Sequence, residues 1–196
     1  MTMFPYLLAL PFGIATIWQR TLNMRRGSEK RESRPEPGQR IHSLFGQLAP
    51  LPLAVYVLKP DLLRYWDYFV PAWLKLAGSV ILLISVLLWL WSQGVLGQNW
   101  SGEIAVRKGH TLTTGGPYRW VRHPMYTAFI LGAIGLPLLV PNILASFPLV
   151  LHVIFTVSRA GREEALMEEL FGNEFRTWRS KTGWFLPRFP RLRQPR

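Results

Sequence analysis

Cysteine is absent from all 196 residues. That removes disulfide frameworks, thiolate metal sites and cysteine nucleophiles together. Histidine is sparse: His42, His110, His123 and His152 are the only four, and none stand at a metal-ligand spacing such as HExxH. No GxSxG elbow and no P-loop occur. There is no GxGxxG either, which excludes a soluble Rossmann-type cofactor domain. Acidic residues are few, 11 against 23 Lys and Arg, giving a net charge of +12. That sign suits nucleic acid, yet no recognised nucleic-acid motif accompanies it. No internal repeat is present.

What the chain has in quantity is apolar side chains, 49% of its residues, with nine Trp. They come in blocks long enough to meet a bilayer, and the charge falls between the blocks. A hydrocarbon core takes about 20 mostly apolar residues as helix. Five blocks qualify as spans. The first is 3–18, interrupted by Pro5, Pro11 and Gly13, and the second is 41–58, with Pro50 and Pro52 placed to kink it. The third, 70–91, is the clearest: VILLISVLLWLW ends in aromatics suited to an interface. The fourth and fifth lie in 125–157, where Pro137 and Pro141-Asn142 allow a tight hairpin. Helices this short must tilt or be partly embedded.

Lys and Arg placement sets the orientation. Seven lie in 20–40, four in the loop before the fourth span (Arg107, Lys108, Arg119, Arg122) and nine in 159–196. With five spans all of these share one side, and the other side keeps Lys59 and Arg64, with Lys75 near the third span. The expected topology puts the N-terminus outside and the C-terminus in the cytoplasm, in the inner membrane if the cell is bacterial. Residues 1–5 carry no basic cluster, and the positive charge follows the first apolar run, so that run reads as a retained span and not as a cleaved signal. The positive charge is then mostly topology, with some attraction to anionic lipid. Nucleic acid is not an expected partner, and membrane lipid is.

The loop "GQNWSGEIAVRKGHTLTTGGPYRWVRHPMY" is glycine-rich and irregular, with EIAV as a short extended piece and Gly115-Gly116-Pro117 as a turn. Pro124 suits the first turn of a helix, where its missing N–H costs nothing. The free amides of that helix start, with Arg122 and His123 beside them, can receive a carboxylate. Tyr, Trp and Arg also gather at headgroup level as plain anchors, so both readings stand. After the fifth span, "SRAGREEALMEELFGNEFRTWRS" forms an amphipathic helix. Arg159 and Glu163 are four apart on one face at the membrane surface, where ionisable groups tend to be paired or functional. Arg162 and Glu164 flank them, while Glu168, Glu169 and Glu174 read as solvated. His152, inside the fifth span, reads as a hydrogen-bonded packing residue.

Three blocks, "GQNWSG", "GHTLTTGGPYRWVRHPMYTAF" and "SRAGREEALMEELFGNEFRTWRSKTGWFLP", resemble the isoprenylcysteine carboxyl methyltransferase family, with phospholipid and methanethiol S-methyltransferases similar in the same blocks. The likeness runs over 97–187. It implies an all-α integral membrane enzyme of about five transmembrane helices, with S-adenosylmethionine held between the cytoplasmic loop and the C-terminal helix and no metal. It further implies cofactor contacts at His110, Leu112, Thr113, Tyr118, His123, Pro124, Met125, Tyr126 and Glu163, and substrate handling at Arg159. Arg159 and Glu163 are the residues it marks as catalytic. The implied acceptor is lipophilic, a small molecule or a prenylated group such as an isoprenylcysteine carboxylate. A phospholipid or small thiol is the alternative. An NADPH-dependent sterol-type reductase shares an R-H-P-x-Y block but needs more spans, and a non-enzymatic scaffold leaves the Arg/Glu pair unexplained. The expected organisation is a three-helix membrane region over 1–91, with a basic linker at 19–40, and a catalytic region over 92–196. The latter divides into a cofactor loop (92–124), a helical hairpin (125–158) and a C-terminal helix and tail (159–196).

Overall fold

The computed structural model describes residues 44–46, 48–97 and 111–188, with the backbone of 32–33 and 105–106. The expected first span, most of the basic linker, His42, His110 and the last eight residues lie outside the described residues. Among the described residues five α-helices follow in order: α1 (Leu51–Leu58), α2 (Ala72–Leu96), α3 (Pro124–Leu139), α4 (Ile143–Ser158) and α5 (Ala160–Lys181). One two-residue antiparallel pairing, β1 (Glu32–Ser33) with β2 (Ala105–Val106), joins the linker to the loop. Of the extended piece expected at EIAV, Ala105–Val106 form a strand, and the remaining regular structure among the described residues is helical.

Proline sets several boundaries. Pro50 caps α1 and Pro52 falls in its first turn, where no N–H is needed. Pro71, in extended conformation, precedes α2. That helix runs to Leu96, five residues beyond the expected Trp91: Gly94 stays helical, and only Gly97 leaves the helix, at φ 52°. The hairpin between α3 and α4 is present, but Pro137 stays inside α3 and the turn falls at 140–142. Each hairpin helix has 16 residues, about 24 Å of rise, short of a roughly 30 Å hydrocarbon core as expected.

α2 has two apolar faces. Gly78, Leu82, Ser85, Val86, Trp89 and Ser92 point inward at helical spacing. Trp73, Leu76, Val80, Leu83, Ile84, Leu87 and Leu90 point outward, each about half exposed or more. A helix apolar all round belongs in a buried core or in lipid, and no described residue buries the outward face. α2 is long and apolar enough to cross a membrane by itself, and so is the nearly continuous stretch of α4 and α5.

Where α2 crosses α3 the backbones approach closely. A Cβ on Gly78 would stand 2.8 Å from the Gly135 carbonyl oxygen, and one on Gly135 would stand 2.9 Å from that of Gly78. Small residues at such crossings gain packing contacts that lipid cannot supply. Ser85, fully buried, adds a hydrogen bond across the same interface by donating to the Ala128 carbonyl at 2.7 Å. Leu82, Leu136, Leu139, Val140 and Ala145 continue the core around Tyr56 of α1.

At one end of the bundle, Asn142 is a hub. Its side chain caps α4 by accepting from the Ala145 amide at 3.0 Å. It also donates to the Leu63 carbonyl at 2.8 Å and to Asp67 Oδ1 at 2.7 Å, tying the hairpin turn to the 59–71 loop. Tyr68 completes the tie, with its amide on the Pro141 carbonyl and its hydroxyl on that of Pro137.

Candidate active site

At the opposite end, four segments converge: the end of α2, the turn before α3, the start of α5 and the stretch after it. A 3-10 turn over Gly116–Arg119 leads into His123, which caps α3 with Pro124 as its first residue. The His123 side chain makes no capping hydrogen bond to this helix start.

His123 is fixed on several sides. Its Nε2 stands 3.0 Å from Glu164 Oε1, and its Nδ1 faces Glu163 Oε2 at 3.9 Å. The Tyr126 ring stacks on it, with centroids 5.3 Å apart and planes within 4°, and Phe185 leans against it at 5.9 Å. Tyr126 donates its hydroxyl to Glu163 Oε1 at 2.5 Å. The neighbouring carboxylates of α5 thus divide: Glu163 meets Tyr126, and Glu164 meets His123 and Arg122.

Arg122 is a clamp. Its Nε donates to Glu164 Oε1 at 2.6 Å, and one terminal nitrogen donates to the carbonyl of Thr182 at 2.7 Å and of Arg179 at 3.3 Å. Both side chains of the Arg122–Glu164 pair are nearly buried. Burial pushes the Glu164 carboxyl upward, but hydrogen bonds from His123 and Arg122 and the charges behind them outweigh it, leaving the group below its ordinary range. Burial, reinforced by the Glu163 charge, pushes the Tyr118 phenol above its usual value.

The chain after α5 straps the site shut. Gly183 donates to the Trp120 carbonyl, Arg122 to that of Gly183, and His123 to that of Trp184, as a short parallel bridge. Thr127 Oγ1 donates to the Phe185 carbonyl at 2.7 Å, and the Trp178 indole to that of Tyr118 at 3.0 Å. Gly172, at φ 49°, breaks α5 midway, a conformation that costs glycine little.

Of the residues marked by the sequence, the fold brings Tyr118, His123, Pro124, Met125, Tyr126 and Glu163 together. Pro124 is fully buried and Met125 nearly so. Leu112 and Thr113 lie half-buried in the segment leading to the 3-10 turn. Arg159 is the residue between α4 and α5, 7% exposed and one turn before Glu163. His152 packs against Phe45 inside α4. Sequence reasoning missed the central place of Glu164, the clamp role of Arg122 and the strap at 182–186. The doubled acid after the last apolar span was the available signal, since Arg122 at that depth needs a counter-charge. Glu168, expected to be solvated, is only partly exposed and is ion-paired with Arg176 at 2.8 Å and Arg179 at 3.0 Å.

A sequence model of the isoprenylcysteine carboxyl methyltransferase (ICMT) family matches residues 73–169, from the first turn of α2 to the middle of α5. The protein-S-isoprenylcysteine O-methyltransferase of Schizosaccharomyces pombe is 36% identical over 98 residues, 48% of this chain and 41% of that protein. A probable protein-S-isoprenylcysteine O-methyltransferase of Oryza sativa subsp. indica is 29% identical over 135 residues, 67% of each chain. The solved structure of a eukaryotic intramembrane Ras methyltransferase, ICMT, shares the fold at a TM-score of 0.53 and 18% identity. That likeness covers 76% of this chain and 52% of the other. Residues 73–169, about half of the chain, thus match the isoprenylcysteine carboxyl methyltransferase family.

Proposed function

We propose that this protein is a membrane-embedded methyltransferase that moves a methyl group from S-adenosylmethionine to a lipophilic acceptor, the carboxylate of an isoprenylcysteine-like group. The observation that carries the reading is the cluster of Tyr126, His123, Glu163 and Glu164 at the polar end of apolar helices. It lies wholly within the family-matched segment, and two of the relatives above carry a name stating that chemistry.

The residues fit the cofactor's functional groups. Glu163, which can only accept while ionised, suits an ammonium or ribose hydroxyls. The helix start at Pro124, with no side-chain cap, suits the carboxylate of the amino-acid moiety. Tyr126 offers an aromatic face to a sulfonium. When bound, the cofactor supplies a methyl group already activated by the positive charge on sulfur. The protein's task is then to position and desolvate the reactants. An acceptor carboxylate is ionised at neutral pH and needs no base. Arg159, a fixed cation one turn nearer the membrane than Glu163, would attract that anion.

Around this site we place five spans, with the N-terminus outside and the C-terminus in the cytoplasm. The pairing of β1 with β2 supports one side for the basic linker and the loop. The three-helix region would occupy 1–91 and the catalytic region 92–196. The test is calorimetric titration of the detergent-solubilised protein with S-adenosylmethionine and, separately, with NADPH. Saturable binding of the first alone is expected. Binding of NADPH alone would move the protein to reductase chemistry, and binding of neither would leave a scaffold.

A further inference from the structure

The inward face of α2 carries polar side chains that settle their hydrogen bonds, with two exceptions. Ser79, Ser85 and Ser92 each donate to a backbone carbonyl. Trp89 Nε1 and Gln93 Nε2 are shielded from solvent and have no hydrogen-bond partner among the described residues. Buried donors are almost always satisfied, because leaving one unmet forfeits its hydration for nothing. Two of them four residues apart stand on one helix face, one above the other.

Their place is informative. Trp89, 5% exposed, packs on Met125 and Ala128 of α3, with Phe129 against the same cluster. The Phe129 ring neighbours that of Tyr126 at 6.3 Å, and Tyr126 holds Glu163. The two donors therefore line the last turns of α2 at the end of the bundle that holds the site, among apolar side chains suited to a hydrocarbon. Both are neutral N–H donors, which orient an oxygen anion while leaving it its charge. We propose that Trp89 and Gln93 donate hydrogen bonds to the carboxylate of the methyl acceptor, whose hydrocarbon chain packs against the Met125–Phe129 face of α3. This assignment rests on the methyltransferase reading but can fail separately from it.

The full-length protein in lipid nanodiscs would be titrated by calorimetry with an S-prenylated cysteine carrying a free carboxylate. The S-prenylated cysteamine, identical except that it lacks the carboxylate, is the control. Trp89→Phe and Gln93→Met remove the donors and keep most of the volume. Each should weaken the carboxylate ligand about ten-fold, the scale of a hydrogen bond to a charged group, and leave the cysteamine within two-fold. Affinity for S-adenosylmethionine should stay unchanged, and the melting temperature should hold or rise as an unmet donor disappears. Equal weakening of both ligands would assign the two residues to pocket shape and overturn the proposal. Unchanged binding of both, or no binding of the carboxylate by the parent protein, would overturn it as well. Because binding is read without turnover, a parent protein that binds the prenylcysteine but not S-adenosylmethionine would sink the methyltransferase reading alone.

Discussion

The two ends of the helix bundle solve the same problem with different chemistry. Each must tie a helix hairpin to the segments beside it at a membrane boundary. The Asn142 end does so mainly with neutral groups: one amide side chain, backbone carbonyls and a tyrosine hydroxyl, with Asp67 the only charged partner of the hub among the described residues. The His123 end uses Arg122, Glu163, Glu164 and a histidine, with Arg122, His123 and Glu164 nearly buried and Glu163 more open. A buried ion network is a poor way to gain stability, since desolvation consumes most of the attraction. The neutral hub shows that this chain can tie a hairpin without one. Under the proposed function the charge at the other end serves the bound cofactor, and its cost is carried by the rest of the fold.

Three measurements can break or sharpen that contrast. The largest effect is expected from Glu164→Ala, which strands Arg122 and His123 beside an unfilled gap. Losing one member of a buried pair costs about 3–5 kcal/mol, so thermal unfolding should fall sharply and S-adenosylmethionine binding should vanish. Retained binding would show the charges to be bracing alone. Asn142→Ala comes second. Loss of the cap and of two further hydrogen bonds should cost about 2–3 kcal/mol in stability and leave cofactor affinity within two-fold. A drop in affinity matching the drop in stability would erase the division between the ends. The smallest effect is in pH. Glu164 is depressed in the folded state, so its contribution is full above its ordinary value of 4.5 and is lost as pH falls through its folded value. Melting temperature should decline with acidification, and less steeply in Glu164→Gln. Identical slopes in the two proteins would remove Glu164 from the account.

The helices were legible in the sequence because apolar length and basic flanks are one-dimensional signals. The hairpin at 140–142 was announced by Pro141-Asn142, and the helix start at His123 by Pro124. Boundaries slipped where no residue marked them, as at the end of α2. In the candidate site, the motif blocks marked Tyr126 and Glu163 each, but neither their mutual hydrogen bond nor the partner choice of Glu164 was legible. Glu163 and Glu164 are adjacent and chemically equivalent in sequence. Only the angle at which α5 leaves Arg159 decides which one faces Arg122. The strap was hidden for a related reason: TGWF pairs through backbone groups, which every sequence has.

That strap also has a meaning in time. Protein synthesis runs from the N-terminus, and the helices enter the membrane as they emerge. Trp178 meets Tyr118 across 60 residues, and Phe185 meets Thr127 across 58. The loop that begins the site is therefore made long before the segment that closes it. A nascent chain can hold α2, α3 and α4 in place and still have His123 open on one side. Under the proposed function, catalytic competence would arrive as a late, single step, once residues 178–186 have been made, with the membrane-embedded part already built.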